Sequence, residues 1–419
     1  MSGAIDIDDL ADPQLNEAQR QALAWGETLT VEFTEDAILA AARATTGLAD
    51  FGADDFRVRL KVLREEWGGC EALTGLQRFV LQGYLIRYAC NRLLIHDLLT
   101  RHPEIREQPI LAPVIVVGLP RSGTTHLVNL LGADPRFQSM PLWESYEPVP
   151  RVGEARLANG VDPRYQRAAD AWAQMQQTVP LLAAMHPLDP DHIHEELELM
   201  GPDFASYSFE WLAHSPGWRD HYYATDQRPH YDYMKDVLRI LQWRRGGAAR
   251  RWILKCPQHL EQLPALQHTF PDATIIVTHR DPVAVLQSTM TMLGYNQRIG
   301  RKRVDLAALV DYWPARIEHL LRGCVRDRAQ FGEASSLDVM FDQFMADPMA
   351  QLESVYARIG VPLDQATRTR LQAYLAAHPR GKDGQVRYHL TRDFGITATE
   401  LRARFGFYLE RYPVKIEVT

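Results

Sequence analysis

The sequence predicts an α/β protein built on a doubly wound, mostly parallel sheet flanked by helices and preceded by an all-helical extension. Three observations carry that expectation. From residue 113 onward, short continuous β-branched runs alternate with helical patterns, as in βαβ units whose strands are buried on both faces. Before residue 110 the apolar residues recur at helical spacing instead. A glycine-bearing turn joins the first of the strands directly to a helix.

Taken in order, residues 14–110 read as successive helices. Thr34 precedes EDAILAAARA, and the acidic residues in its first turn suit a helix start. The stretch from Thr74 to Thr100 should be one long helix, packing on the main domain, covering a ligand or forming a homodimer. The strands are VIVVG after Pro113, RWILK (251–255), TIIVTH (274–279) and SLDVM (336–340). Helices are expected over Thr124 to Leu131, Tyr231 to Arg244, Leu260 to Phe270, Val283 to Leu293, Leu306 to Gln330 and Pro348 to Ile359. Residues 150–230, rich in Pro, His and aromatics, have weak periodicity and read as an irregular ligand-binding insertion. The expected division is a helical extension over 1–110 and an α/β domain over 111–419.

Bulk properties narrow the function. Hydrophobic content of 46% in 419 residues supports a sizeable core. A net charge of −7 argues against nucleic acid as the partner, while leaving room for a local basic pocket. The four cysteines form no CxxC pair, which argues against a zinc ribbon or disulfide framework and suits a reducing compartment. No signal peptide is read at the N-terminus, and the most apolar run, Leu111 to Leu119, is far shorter than a membrane span. A soluble, cytoplasmic protein is expected.

The strongest chemical signal is VIVVGLPRSGTTHLVNLL. Gly118 and Gly123 have GxxxxG spacing after a strand and at the opening of a helix. There the backbone can wrap phosphate oxygens, and the helix N-terminus turns free N–H groups and its positive dipole end toward the anion. Ser122, Thr124 and Thr125 add hydroxyl donors. A nucleoside-triphosphatase loop carries Lys immediately after the second glycine; here that residue is Thr124, and the cation is Arg121. Such a loop can cradle a phosphate without the residue that NTP hydrolysis relies on.

These residues resemble the PAPS-dependent sulfotransferases, in particular the bacterial and Golgi-type branch with RSGTT. The resemblance implies a P-loop-type sheet, PAPS as donor with PAP as product, and a 5′-phosphosulfate site at Arg121, Ser122, Gly123, Thr124 and Thr125, with His126 beside them. A second match, TIIVTHRDPVAVLQS, implies that Arg280 and Ser288 hold the 3′-phosphate. An arginine at the carboxyl end of a strand faces the ligand crevice of an α/β sheet, and its planar fork suits phosphate. Taken alone, Arg280–Asp281 also reads as a structural ion pair.

Further segments extend the resemblance. WILKCPQHLEQLP matches the family's strand-and-lysine segment, which implies that Lys255 approaches the transferring sulfuryl group; its alternative is a structural salt bridge. Part of the family places a basic histidine two residues after this lysine. That position is Pro257 here, and the nearest histidine is His259. Other branches use a glutamate about twenty residues past the loop, which implies Glu144 in PLWESYEPVP as the base. HPRGKDGQVRY resembles the closing segment over the nucleotide and implies contacts from Arg380, Lys382 and Gly384. Phe341 falls where relatives carry an aromatic against adenine, and core packing is its alternative.

One cluster lies outside the resemblance. DPDHIHEELELM brings His192, His194, Glu195 and Glu196 together, with His186 just upstream. No recognised metal spacing is present, so the readings are a charged helix or contacts to an acceptor, with His192 or His194 as a further candidate base. The motifs require no metal. The resulting expectation is a sulfotransferase moving the sulfuryl group of PAPS to a hydroxyl or amine of a small-molecule acceptor. The rivals are a P-loop small-molecule kinase and a non-catalytic nucleotide-binding protein.

Overall fold

The computed structural model describes residues 3–247, 250–379, 381–382 and 384–419; Arg380 lies outside them. Seven strands are described: β1 (Ala4–Ile5), β2 (Val114–Gly118), β3 (Phe137–Gln138), β4 (Arg251–Lys255), β5 (Thr274–His279), β6 (Ser336–Met340) and β7 (Gln385–Val386). Five form the central sheet in the order β3-β4-β2-β5-β6, with every pairing parallel. All residues of β2 and β5 are buried, which explains why both read as unbroken apolar runs. From β2 the chain crosses to the β3 edge and returns through β4, then continues on the other side of β2 through β5 and β6. The carboxyl ends of β2 and β5 therefore flank the point where the strand order reverses, where α/β sheets bind ligands.

The helices differ from expectation in instructive ways. Pro282–Gly300 runs past the expected end at Leu293, because Gly294 fits closely against Leu306 and Leu10 rather than ending the helix. The expected Leu260 to Phe270 helix divides into a 3₁₀ turn, Pro257–Glu261, and a helix, Leu263–Thr269, with Pro264 in its first turn. The interval 150–230 is not irregular as expected. It contains a helix at Pro163–Thr178 and shorter ones at Leu182–Met185, Leu197–Met200, Phe209–Leu212 and Pro216–Tyr223. Asp162 caps the first of these, followed by proline at the first helical position, a start signal that the weak downstream period obscured.

The N-terminal helices share a core with this interval. Leu60, Trp67, Tyr88 and Leu93 pack with Phe204, Phe209, Trp218 and Tyr222. Buried ion pairs fix the join: Asp203 accepts from Arg59 at 2.7 Å and Arg92 at 2.8 Å, and sits 2.6 Å from His230 Nδ1. A second buried set ties Arg316 to Glu210 and Glu261. The residues between 196 and 212 are thus held from both sides and can support the segment just before them. None of the four cysteines is disulfide-bonded. Among the described residues, no helix is long and apolar enough to cross a membrane.

Candidate active site

Register brings the two principal motifs together. Gly118 pairs with Thr278 and His279 with Met340, so β2, β5 and β6 deliver the 119–123 turn, Arg280 and Phe341 side by side. Lys255 pairs with Val116 at the end of β4. A Cβ on Gly118 would come within 2.0 Å of Thr278 Oγ1. The turn can therefore close only over glycine. Gly123 has φ +87° and Arg121 φ +66°, a left-handed conformation that is costly for a non-glycine residue and typical of ligand clamps.

The helix Thr124–Gly132 makes its first hydrogen bond from Leu127 N–H to Gly123 O at 3.1 Å. The N–H groups of Thr124, Thr125 and His126 thus have no partner within the helix. Ser122, expected as a ligand donor, has intramolecular partners in this structure. Its hydroxyl is buried, bonded to Leu119 O at 2.6 Å and Thr278 Oγ1 at 2.7 Å, so it pins the turn to β5. His126 packs its ring on Phe344 at 5.3 Å, and burial holds the imidazole below its ordinary range.

Arg121 links the motifs directly. Its Nε donates to Ser288 Oγ at 3.0 Å, and its terminal nitrogen donates to Met185 O. Arg280 donates back to the Arg121 carbonyl and lies 4.0 Å above the Phe341 ring. The guanidinium of Arg280 is therefore on the same side of the sheet as the turn. Phe341 touches the turn as well, 3.0 Å from where a Gly123 Cβ would stand.

The third component is a buried polar cluster over Lys255. Its Nζ donates to Thr125 Oγ1 at 3.2 Å and to Glu195 Oε1 at 2.5 Å. The Lys255 backbone N–H donates to Glu196 Oε2 at 2.9 Å. His192 and Ile193 reach this position by pairing with the chain at 141–142: Leu142 N–H donates to His192 O at 2.8 Å, and Pro141 bridges Ile193. Burial, with the Lys255 cation nearby, pushes His192 down to about 3 and His186 and His194 well below their usual range. All three imidazoles are neutral near pH 7. His192 Nε2 and His194 Nδ1 are buried without a partner. Among the described residues, no three His, Cys, Asp or Glu side chains converge as a metal-ligand set.

Glu196 makes the cluster sensitive to pH. Burial pushes its carboxyl from 4.5 up to about 8, against the pull of the Lys255 N–H. Between those values the unfolded chain releases a proton that the folded chain keeps, so this group's contribution to stability falls as pH rises. Replacing Glu196 by Gln should flatten the decline in melting temperature between pH 5 and pH 8. A wild-type slope retained in the variant would contradict the assignment.

Two expected groups lie elsewhere. Glu144 is held in an ion pair with Arg245, and Arg245 also donates to Ser139 O at 3.0 Å. His259 is fully buried, its Nδ1 2.8 Å from Tyr231 OH, and burial depresses it to about 3. Neither shares a hydrogen bond with Lys255 or the turn. In the closing segment Lys382 is exposed, while Gly384 leads into β7, which pairs with β1 at Ala4 and Ile5. Val386 packs in one cluster with Leu182 and Met185, which places the segment against the residues that receive Arg121. Met185 and Glu195 were not foreseen as partners of Arg121 and Lys255. A contact between residues 64 or 60 positions apart has no local sequence signal.

Known proteins share this fold. The sulfotransferase family profile matches residues 113–365. The omega-hydroxy-beta-dihydromenaquinone-9 sulfotransferase Stf3 of Mycobacterium bovis is 24% identical over 317 residues, 72% of this chain and 74% of its own length. Its Mycobacterium tuberculosis counterpart has the same values. The crystal structure of sulfotransferase STF9 from Mycobacterium avium superposes with TM-score 0.81 at 26% identity, covering 92% of this chain and 98% of that one. STF1 from Mycobacterium tuberculosis gives 0.77 at 27%, covering 89% and 98%. The parallel sheet and this family match together make the chain a member of the sulfotransferase family and a sulfotransferase enzyme.

Proposed function

We propose that this sulfotransferase uses PAPS and transfers its sulfuryl group, by in-line displacement, to a hydroxyl of a small molecule. The observation that carries the reading is the direct contact between Arg280 and the Arg121 carbonyl, together with Arg121 on Ser288. One nucleotide can then meet both motifs, its 5′ end on the turn and its 3′-phosphate at Arg280 and Ser288. The residues fit that donor: the turn closes over glycine, and its helix presents unpaired N–H groups beside two cations. When bound, PAPS supplies an activated sulfuryl group on a phosphate leaving group.

The chain's own groups divide the work. The N–H groups of Thr124 to His126, the Thr125 hydroxyl and Arg121 hold the phosphosulfate. Lys255, desolvated and 3.2 Å from Thr125 Oγ1, neutralises charge that develops on the leaving side. Catalysis by such groups is mainly positioning and electrostatics. Glu195, held on Lys255, accepts the acceptor's proton, and the neutral His186 and His192 line its approach. Glu144 and His259 are the alternatives as base. The catalytic unit in this reading is 111–419, with the 1–110 helices bracing the 150–230 segment, and Lys382 and Gly384 belong to the closing segment over the nucleotide.

A cavity of about 100 Å³ is lined by Trp211, Leu293, Leu309, Tyr312 and Trp313 together with the polar Glu210, Gln297 and Arg301. It lies along Pro282–Gly300, the helix that also carries Ser288. A hydroxyl is the acceptor group in the printed name of the Stf3 relative. PAP should raise the melting temperature by several degrees, since a ligand at 100 times its Kd adds about 2.7 kcal/mol. ATP with Mg²⁺ should not, because Thr124 stands where a kinase loop carries lysine. Protection by ATP–Mg²⁺ alone would overturn PAPS as donor. Mass spectrometry of products from a panel of alcohols would identify the acceptor.

A further inference from the structure

We infer that Glu417, in the C-terminal tail, is a positioning residue for Arg280 and so part of the 3′-phosphate subsite. The inference rests on the assignment of Arg280 to that phosphate. Glu417 grips the guanidinium with both oxygens: Arg280 Nε donates to Oε1 at 2.7 Å and a terminal nitrogen donates to Oε2 at 2.7 Å. The other terminal nitrogen donates to Arg121 O, and the Phe341 ring lies 4.0 Å from the guanidinium carbon. A guanidinium has five N–H donors. These contacts use one edge and one further N–H, leaving a donor on each terminal nitrogen. Those two N–H groups can donate to phosphate oxygens.

The tail itself is fixed in place. The N–H groups of Glu417 and Val418 donate to Asp281 Oδ2 at 2.9 and 3.3 Å. Asp281 is fully buried, and its other oxygen caps the helix Pro282–Gly300 by accepting from Val283 N–H at 3.0 Å. Arg402 donates to Val418 O. The tether is the same helix start that follows Arg280. A partly exposed ion pair adds little stability. The pair's consequence is the direction in which Arg280 points, so ligands carrying a 3′-phosphate should register it and the fold should not.

The test compares PAP with AMP, which lacks the 3′-phosphate. Glu417→Ala should weaken PAP about tenfold and raise the PAPS KM similarly, with kcat lowered less than about threefold, AMP affinity unchanged and melting temperature held. Glu417→Gln keeps the length and one acceptor, so it should restore part of the PAP affinity. Arg280→Ala should weaken PAP at least as much, and adding Glu417→Ala to it should cost nothing more. Tighter PAP binding by Glu417→Ala would mean that the carboxylate competes with phosphate, and would overturn the positioning role. Weakening by Arg280→Ala alone, with the Glu417 variants unchanged, would sink this inference and leave the phosphate assignment standing. No effect of Arg280→Ala on PAP would remove both.

Discussion

Lys255→Met is expected to lower kcat by about 10²–10³-fold while PAP affinity changes less than about tenfold, because a preorganised donor aimed at developing charge carries about 2.7–4 kcal/mol of transition-state stabilisation. The lysine is suited to that task by its surroundings. Only 1% of its side chain is exposed, so its charge acts in a medium with little water to screen it. Its partners, Thr125 Oγ1 and Glu195 Oε1, aim it from the end of β4 toward the phosphate-type turn. Methionine preserves the unbranched stem and removes the cation. Burying an ammonium is tolerable only with such partners, and removing it leaves the carboxylate on Glu195, whose side chain keeps 15% exposure, without its cation. Melting temperature must therefore be followed alongside kcat. Steady-state turnover within about threefold of wild type, in a folded variant, would refute the role.

How much of this was legible beforehand follows from the range of each interaction. The turn after β2 and Arg280 after β5 could be read because their signals are local. An unbroken β-branched strand ends in glycine or arginine, and a helix opens within a few residues. Parallel register then brings the two strand ends together without further instruction, since Gly118 and Thr278 are neighbours. Lys255 was legible for the same reason. Its partner was not. Glu195 belongs to a His- and Glu-rich run whose charges resemble those of a solvated helix, and its backbone pairing with residues 140–143 draws that run over the sheet. Glu144 was read from its distance along the chain past the turn, a signal that carries no direction. The helix Leu142–Tyr146 leaves its carboxylate on Arg245. The partners of the Ser122 hydroxyl, Thr278 Oγ1 and Leu119 O, likewise have no signal at Ser122 itself.

The choice of base separates into distinct results. Glu195→Gln should reduce kcat by about 10²–10⁴-fold, the usual contribution of a positioned base, whereas Glu144→Gln should reduce it less than about tenfold. The amide keeps the shape of Glu195 and can still accept from Lys255, so the lysine stays in place while the proton acceptor is lost. That distinction matters because Glu195 could act only by steering Lys255. If it did, the double variant Lys255→Met/Glu195→Gln would be no slower than Lys255→Met alone. A base makes its own contribution, so the double variant should be slower again, short of full additivity for groups this close. His192, already neutral and pushed down to about 3 by burial, is not in the charge state that would compete with Lys255 near neutrality. A large loss in Glu144→Gln with little change in Glu195→Gln would return the base to the helix Leu142–Tyr146, and the Arg245 ion pair would then have to open in the working enzyme.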